Sequence, residues 1–240
     1  MKQILAVIYV VIFTLITYPI RIYNKHTYGE RKKCYDNNYK LLHIMTKKIL
    51  KIMKIKVNIE ENRKNNTNKA VLFVGNHRSN FDSLILIASI DSPLIFIGKK
   101  EIKKFPIIGK WFVDIGCIFI DREDTKSAIN SIMEGVKKIK EGYSLVIFPE
   151  GSRTKEKIVK EFKPGSLKLA QKTKANIVPI TFVNTEECYE IHKKLKSARV
   201  HLDIGKEIDI EEKNLKTTTE IATYVSDLIK IKYAKIEKSI

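Results

Sequence analysis

Hydrophobic and polar positions divide the chain into an apolar leader, a basic amphipathic stretch and a long mixed region. Ile4 to Ile20 is almost wholly apolar, broken only by Thr14 and Thr17, with Lys2 before it and Arg21 after it. The run lies near the lower bound of roughly 17–25 residues for a membrane-spanning helix. A cleaved signal peptide requires small residues after such a run, and Tyr18-Pro19-Ile20-Arg21 is bulky. A retained anchor is expected, crossing the bilayer or entering one leaflet and returning. Tyr23 to Tyr39 is polar and basic. Leu41, Leu42, Met45, Ile49, Ile52 and Met53 then recur at helical spacing, with Lys40, Lys47, Lys48, Lys51 and Lys54 among them. A helix of this kind either lies on an anionic membrane or packs on a domain core. Residues 1–56 are therefore read as a membrane-anchoring helical region and residues 57–240 as a second domain, with Glu60 to Lys69 a polar, Asn-rich linker.

Short runs rich in β-formers mark strands at Val57-Ile59, Ala70-Val74, Leu94-Ile97, Ile118-Ile120, Leu145-Phe148, Ile177-Val183 and Val200-Ile204. Leu84 to Ala88 reads as a helix or a second buried segment, with Ser79 or Asn80 as a cap. Between Ile120 and Leu145 the period changes. Ile129, Ile132, Met133, Val136 and Ile139 predict an amphipathic helix, and Gly142 is a fitting stop signal. Strand, helix, strand implies a parallel, right-handed crossover. Thr217 with Glu220 predicts a capping box opening a last helix on Ile221, Tyr224, Val225, Leu228 and Ile229. The expected fold class is α/β: a mostly parallel central sheet flanked by helices, with an N-terminal membrane-attached helical segment.

Charge sharpens the choice of partner. The 240 residues carry a formal net charge of +18, which favours nucleic acid, acidic lipid headgroups or phosphorylated substrates. The chain is rich in Lys, Ile and Asn together, so much of that lysine reads as solvated surface. Nucleic acid is the weaker partner: lysine far outnumbers arginine, and no recognition helix, zinc spacing or aromatic-basic RNA motif is present. Cys34, Cys117 and Cys188 are scattered, with no CxxC pair. This fits a reducing compartment and argues against a disulfide framework or structural zinc. His26, His43, His192 and His201 have no motif context and read as surface or satisfied residues.

The fifth histidine is different. In Asn76-His77-Arg78-Ser79-Asn80-Phe81-Asp82-Ser83, a His at a strand end precedes an Asp in the first turn of the next helix. Residues i and i+5 do not share a face of a continuous helix, so the two meet only if the chain turns between them. Imidazole accepts a proton near neutral pH. A carboxylate on its far nitrogen fixes the tautomer and stabilises the imidazolium. The bland alternative is a loop histidine beside a first-turn aspartate near the helix dipole.

Three further blocks weigh against that alternative. Lys99-Lys100-Glu101-Ile102, Pro106, Gly109, Gly116 and Ile118-Phe119-Ile120-Asp121-Arg122 form the second. Phe148-Pro149-Glu150-Gly151-Ser152-Arg153-Thr154 is the third and Val178-Pro179-Ile180 the fourth. In order and spacing these resemble the motif blocks of the 1-acyl-sn-glycerol-3-phosphate acyltransferase family, within the phospholipid and glycerol acyltransferase superfamily. The likeness runs from about Val71 to Phe182, with Ser152 where Thr is usual, a change that keeps the hydroxyl.

The resemblance implies transfer of a fatty acyl group from acyl-CoA or acyl-carrier protein to the 2-hydroxyl of lysophosphatidate, giving phosphatidate, with no metal or bound cofactor. It implies His77 as general base and Asp82 as its partner. It places the acceptor's phosphate on Lys99 and Arg153, with Lys100 and Arg122 as competitors. Arginine suits phosphate because its planar fork donates two hydrogen bonds at once. Glu150, Gly151 and Ser152 join the expected substrate-binding set. Gly151 permits a sharp turn, and Glu150 bonds the acceptor's glycerol or orients Arg153. Pro179 is expected to be structural. The likeness also implies attachment to the cell membrane through an N-terminal helical pair, with the catalytic domain on the cytoplasmic side against an anionic surface. Four alternatives stand beside it. A serine hydrolase using Ser79 or Ser152 lacks a G-x-S-x-G elbow. A His77/Asp82 metal site lacks a third ligand. An acyltransferase for another lysophospholipid or an aminolipid shares the motifs, and a non-catalytic membrane-surface binding protein shares the fold.

Overall fold

The structure is a computed structural model, and it describes residues 2–61, 69–121, 123–154 and 156–240. Arg122 and most of the Asn-rich linker lie outside the described residues. Seven strands follow the seven apolar runs: β1 (Lys56–Glu61), β2 (Leu72–Gly75), β3 (Leu94–Lys99), β4 (Ile118–Ile120), β5 (Ser144–Ile147), β6 (Ile177–Val183) and β7 (Arg199–Ile204). They form one sheet in the order β1-β7-β6-β2-β5-β3-β4. Neighbours from β6 to β4 are parallel, β7 runs antiparallel to β6, and β1 is parallel to β7. The sheet is mostly parallel, as the apolar runs predict.

Strand burial explains why the central runs, β2, β5 and β6, show no alternation of polar and apolar residues. Leu72 and Val74 of β2 enter one core with Leu145 and Ile147 of β5, while Phe73 and Val146 enter the other. Both faces are covered, so both sets of side chains must be apolar. One layer holds α1 (Lys2–Tyr28), α2 (Lys32–Met53), α3 (Phe81–Ser89) and α4 (Ile108–Asp114). The other holds α5 (Thr125–Lys140), α6 (Lys168–Thr173) and α7 (Thr218–Lys238).

The N-terminal region is helical, as the sequence predicts, and the structure adds the bounds of its helices. Its polar stretch is mainly helical: α1 runs eight residues past Ile20, with Pro19 inside it, and α2 starts at Lys32. The polar residues there are contacts between helices. Arg21 pairs with Asp114, and Asn24 accepts from Asn37 while donating to Asn38 at 2.8 Å. The apolar face of α2 is used in packing. Leu42, Met45, Ile49 and Met53 are buried in the core that Phe73 and Ile85 share, and Lys40, Lys47, Lys48, Lys51 and Lys54 remain exposed.

Two helical details differ from the sequence expectation. In α5, Ile129 and Met133 are exposed and burial shifts to Ser131, Gly135, Val136 and Ile139. The helix approaches α6 so closely at Gly135 that a Cβ there would lie 2.6 Å from Leu169 Cδ2. At α3, Asn80 makes no side-chain cap; the Ser79 hydroxyl accepts from the Phe81 N–H at 3.0 Å instead. The Thr217/Glu220 capping box of α7 forms as expected.

Candidate active site

In a parallel sheet the loops leaving the carboxyl ends of adjacent strands converge on one edge, where open α/β sheets bind ligands. β2 delivers His77 to that edge, its neighbour β5 delivers Phe148 to Arg153, β3 ends on Lys99, and β6 leads into Thr185 and Glu186. The scattered sequence blocks are thus brought together by strand order.

The chain turns between His77 and Asp82, and the two side chains meet. His77 Nδ1 lies 2.8 Å from Asp82 Oδ2. A carboxylate only accepts, so Nδ1 carries the proton and Nε2 is left as the basic nitrogen. Asp82 is fully buried while the His77 side chain is 21% exposed. The buried carboxylate is well satisfied: Oδ2 also accepts from the N–H groups of Arg78 and Ser79 at 2.7 and 2.9 Å, and Oδ1 accepts from the Thr185 hydroxyl at 2.5 Å. Donors of this number hold the carboxylate in one orientation. Phe148 stacks on the other partner, with its ring centroid 4.4 Å from that of His77.

Several contacts fix the histidine's backbone. Asn76 exchanges two hydrogen bonds with Phe182, 2.9 Å to its carbonyl and 2.8 Å from its N–H, tying the end of β2 to β6. Glu150 accepts the His77 N–H at 2.8 Å and the Thr154 hydroxyl, while the Thr154 N–H donates to the His77 carbonyl at 2.8 Å. Burial pushes the Glu150 carboxyl up, against the opposing hydrogen bonds from Thr154, His77 and Lys160. Glu150 therefore braces the first block against the third. The residue is 5% exposed and bonds His77, Thr154 and Lys160.

Arg78, also buried, grips Glu186 through Nε and Nη2 at 2.8 and 2.5 Å. Its Nη1 donates to the carbonyls of Glu156 and Ile158 at 2.8 and 3.3 Å. Gly151 turns the third block with φ +76°, and a Cβ there would meet Lys163 Nζ at 3.1 Å.

Arg153 is 42% exposed at its side chain and pairs with Glu190 at 2.8 Å. Glu190 also accepts from the Ser79 hydroxyl at 2.6 Å and the Asn80 N–H at 3.0 Å. Lys99 is exposed on the same edge, one strand beyond β5, and so about 10 Å from β2. Lys100 is engaged by Asp121. Ser152 is exposed. Ser79 is buried and its hydroxyl donates to Glu190 and not to a histidine nitrogen, so the nucleophile–base contact of a serine hydrolase is not formed there. Among the described residues no group of three His, Cys, Asp or Glu is placed to hold a metal ion.

Thr185, Glu186 and Glu190 were missed by the sequence reading, because they reach the first block from more than a hundred residues away. Phe148 lies inside the third block, two residues before Glu150, and that proximity is the one available signal.

The family model described as Acyltransferase matches residues 54–183, more than half of the chain, and the chain belongs to that family. It is 38% identical over 154 residues to a protein named probable 1-acyl-sn-glycerol-3-phosphate acyltransferase in Mycoplasma pneumoniae, covering 62% of this chain and 58% of that one. It is 32% identical over 152 residues to the 1-acyl-sn-glycerol-3-phosphate acyltransferase of Borreliella burgdorferi, covering 60% and 61%. The matched segments span about three-fifths of these relatives. The fold is that of the crystallised 1-acyl-sn-glycerophosphate (LPA) acyltransferase of Thermotoga maritima, with a TM-score of 0.77 over 99% of this chain and 98% of that one at 21% identity.

Proposed function

We propose that the protein moves an acyl group from an acyl thioester, acyl-CoA or acyl-carrier protein, to the 2-hydroxyl of lysophosphatidate. The observation that carries the reading is the His77–Asp82 pair at the carboxyl edge of the sheet, with Arg153 on the adjoining loop. In this mechanism Nε2 of His77 takes the hydroxyl proton as the oxygen attacks the thioester carbonyl. The tetrahedral intermediate collapses with cleavage of the C–S bond, and the imidazolium returns its proton to the leaving thiolate. Asp82 stabilises the imidazolium throughout, as the orienting carboxylate does in a catalytic triad. Arg153 and Lys99 receive the acceptor's phosphate monoester. The relatives' names support the choice of acceptor. An intact pair of this kind also argues against a non-catalytic binding protein.

A second reading of the acceptor has one observation in its favour. The Glu190 carboxylate beside Arg153 lowers the local positive charge, which suits a lysolipid headgroup that carries its own ammonium. Assaying purified protein on lysophosphatidate, lysophosphatidylcholine and lysophosphatidylethanolamine, each with both donor types, decides between them. The proposal requires that lysophosphatidate outcompete the other two; equal use of the zwitterionic acceptors overturns it.

We further propose attachment to the cytoplasmic face of the cell membrane through α1. This is the one helix among the described residues long and apolar enough to cross a bilayer. Its contacts favour entry into one leaflet. Gln3 bonds the Leu195 carbonyl at 2.7 Å, Thr14 accepts from Trp111 at 3.0 Å and Arg21 pairs with Asp114. From Gln3 to Arg21 a helix advances about 27 Å, and the domain accompanies it along that whole length. A perpendicular crossing would carry domain surface, Lys110 included, into hydrocarbon.

A further inference from the structure

Away from the dyad, α1 and α4 enclose a pocket of about 220 Å³ lined by Tyr18, Arg21, Ile22, Lys25, Lys110 and Asp114. Three cations face one carboxylate. That carboxylate is already committed to Arg21. Lys25 and Lys110 are exposed at the pocket, close enough for both to act on Asp114. The ion pair between Arg21 and Asp114 accounts for the pinning of α1 to α4, and it leaves the rest of the site unexplained.

Arg21 is the unusual member. It is 4% exposed, its guanidinium lies 4.2 Å from the Trp111 ring, and its Nε is buried without a hydrogen-bond partner. An orphaned buried donor is unfavourable, and an anionic oxygen is the acceptor that would relieve it most. Two of the lining residues are apolar in body and open to the surface: Tyr18 and Ile22 are each about half exposed. A cationic pocket with a leftover arginine donor and these apolar side chains matches a ligand that carries a phosphate on a hydrocarbon body.

We propose that this pocket binds the phosphate of an anionic membrane phospholipid and so seats the last turns of α1 in the headgroup layer. The proposal stands apart from the acyl-transfer reading, because none of the pocket's residues belongs to the catalytic edge.

The test is thermal unfolding of the full-length protein in nonionic detergent micelles doped with phosphatidylglycerol or with phosphatidylcholine. A ligand that binds only the folded state raises the unfolding temperature by mass action. Wild-type protein should be stabilised by phosphatidylglycerol alone. Lys25→Gln with Lys110→Gln should lose at least half of that rise, while Lys48→Gln with Lys51→Gln, the same charge removed from exposed sites on α2, should keep it. Acyl transfer by the Lys25/Lys110 variant in undoped micelles should equal wild type. Equal loss in both double variants would assign the effect to bulk charge and overturn the proposal, as would no rise in the wild type. Stabilisation by millimolar inorganic phosphate in undoped micelles, lost in the Lys25/Lys110 variant alone, would give the pocket to free phosphate and overturn the lipid source.

Discussion

Phe148 lies flat against the imidazole of His77, with ring centroids 4.4 Å apart and planes inclined by 13°. The ring holds the imidazole from one face while Asp82 holds it by an edge. Stacked pairs of this kind contribute about 0.5–1.5 kcal/mol beyond buried area. Phe148→Leu should therefore slow turnover by no more than about an order of magnitude, and Phe148→Tyr should restore it. A steady-state comparison of the three proteins checks this; an inactive, folded Phe148→Tyr would contradict a stacking role.

Asp82 has a heavier task. It orders the loop as well as the imidazole, through Arg78, Ser79 and Thr185. Asp82→Ala should destabilise the protein by about 1–3 kcal/mol for each donor stranded in the interior. Asp82→Asn should fold and remain severely slowed, since its amide does not replace the charge opposite the imidazolium. Unfolding in urea beside turnover separates the two effects.

Glu150 makes stability depend on pH. Burial raises its folded pKa above the unfolded value. Its contribution is therefore full below the ordinary glutamate range and is lost as pH rises through the raised value. Glu150→Gln removes the charge and keeps an acceptor for the His77 N–H. Relative to wild type, the variant should gain stability from acid toward neutral pH, measured by urea unfolding across that window. A difference that stays constant with pH would contradict the assignment.

Arg153→Ala should raise the Michaelis constant for lysophosphatidate far more than that for the acyl donor. The expected cost is about 1.5–3 kcal/mol, the range for a hydrogen bond to a charged group. A defect confined to the donor would show that Arg153 serves the other substrate.

The anchor is best tested on α1 alone. Leu15 and Ile16 are 67% and 69% exposed, and Leu15→Lys with Ile16→Lys should shift the protein from the membrane pellet toward the soluble fraction without unfolding it. Deleting residues 2–54 should give aggregation instead, because α2 carries Leu42, Met45 and Met53 into the core. Unchanged pelleting of the double variant would count against α1 as the anchor.

The central strands were legible in the sequence, because a parallel strand buried on both faces must be an apolar run, and Gly, Asn or Lys stretches punctuate these. The pairing of His77 with Asp82 was legible too, since both partners sit in one short strand-to-helix turn. The extent of α1 and α2 was not. Arg21, Asn24 and Asn38 read only as polar residues until their partners across the helix interface are known. Glu190 was hidden for the same reason: its partners Ser79, Asn80 and Arg153 are distant in sequence, and only the fold makes them neighbours.

The most direct test of the account is the initial rate of phosphatidate formation from lysophosphatidate and an acyl thioester by wild-type protein and by His77→Ala. The account predicts measurable wild-type transfer and a loss of at least ~10²-fold in the folded variant, the low end for removal of a general base. Near-normal turnover in folded His77→Ala would contradict it.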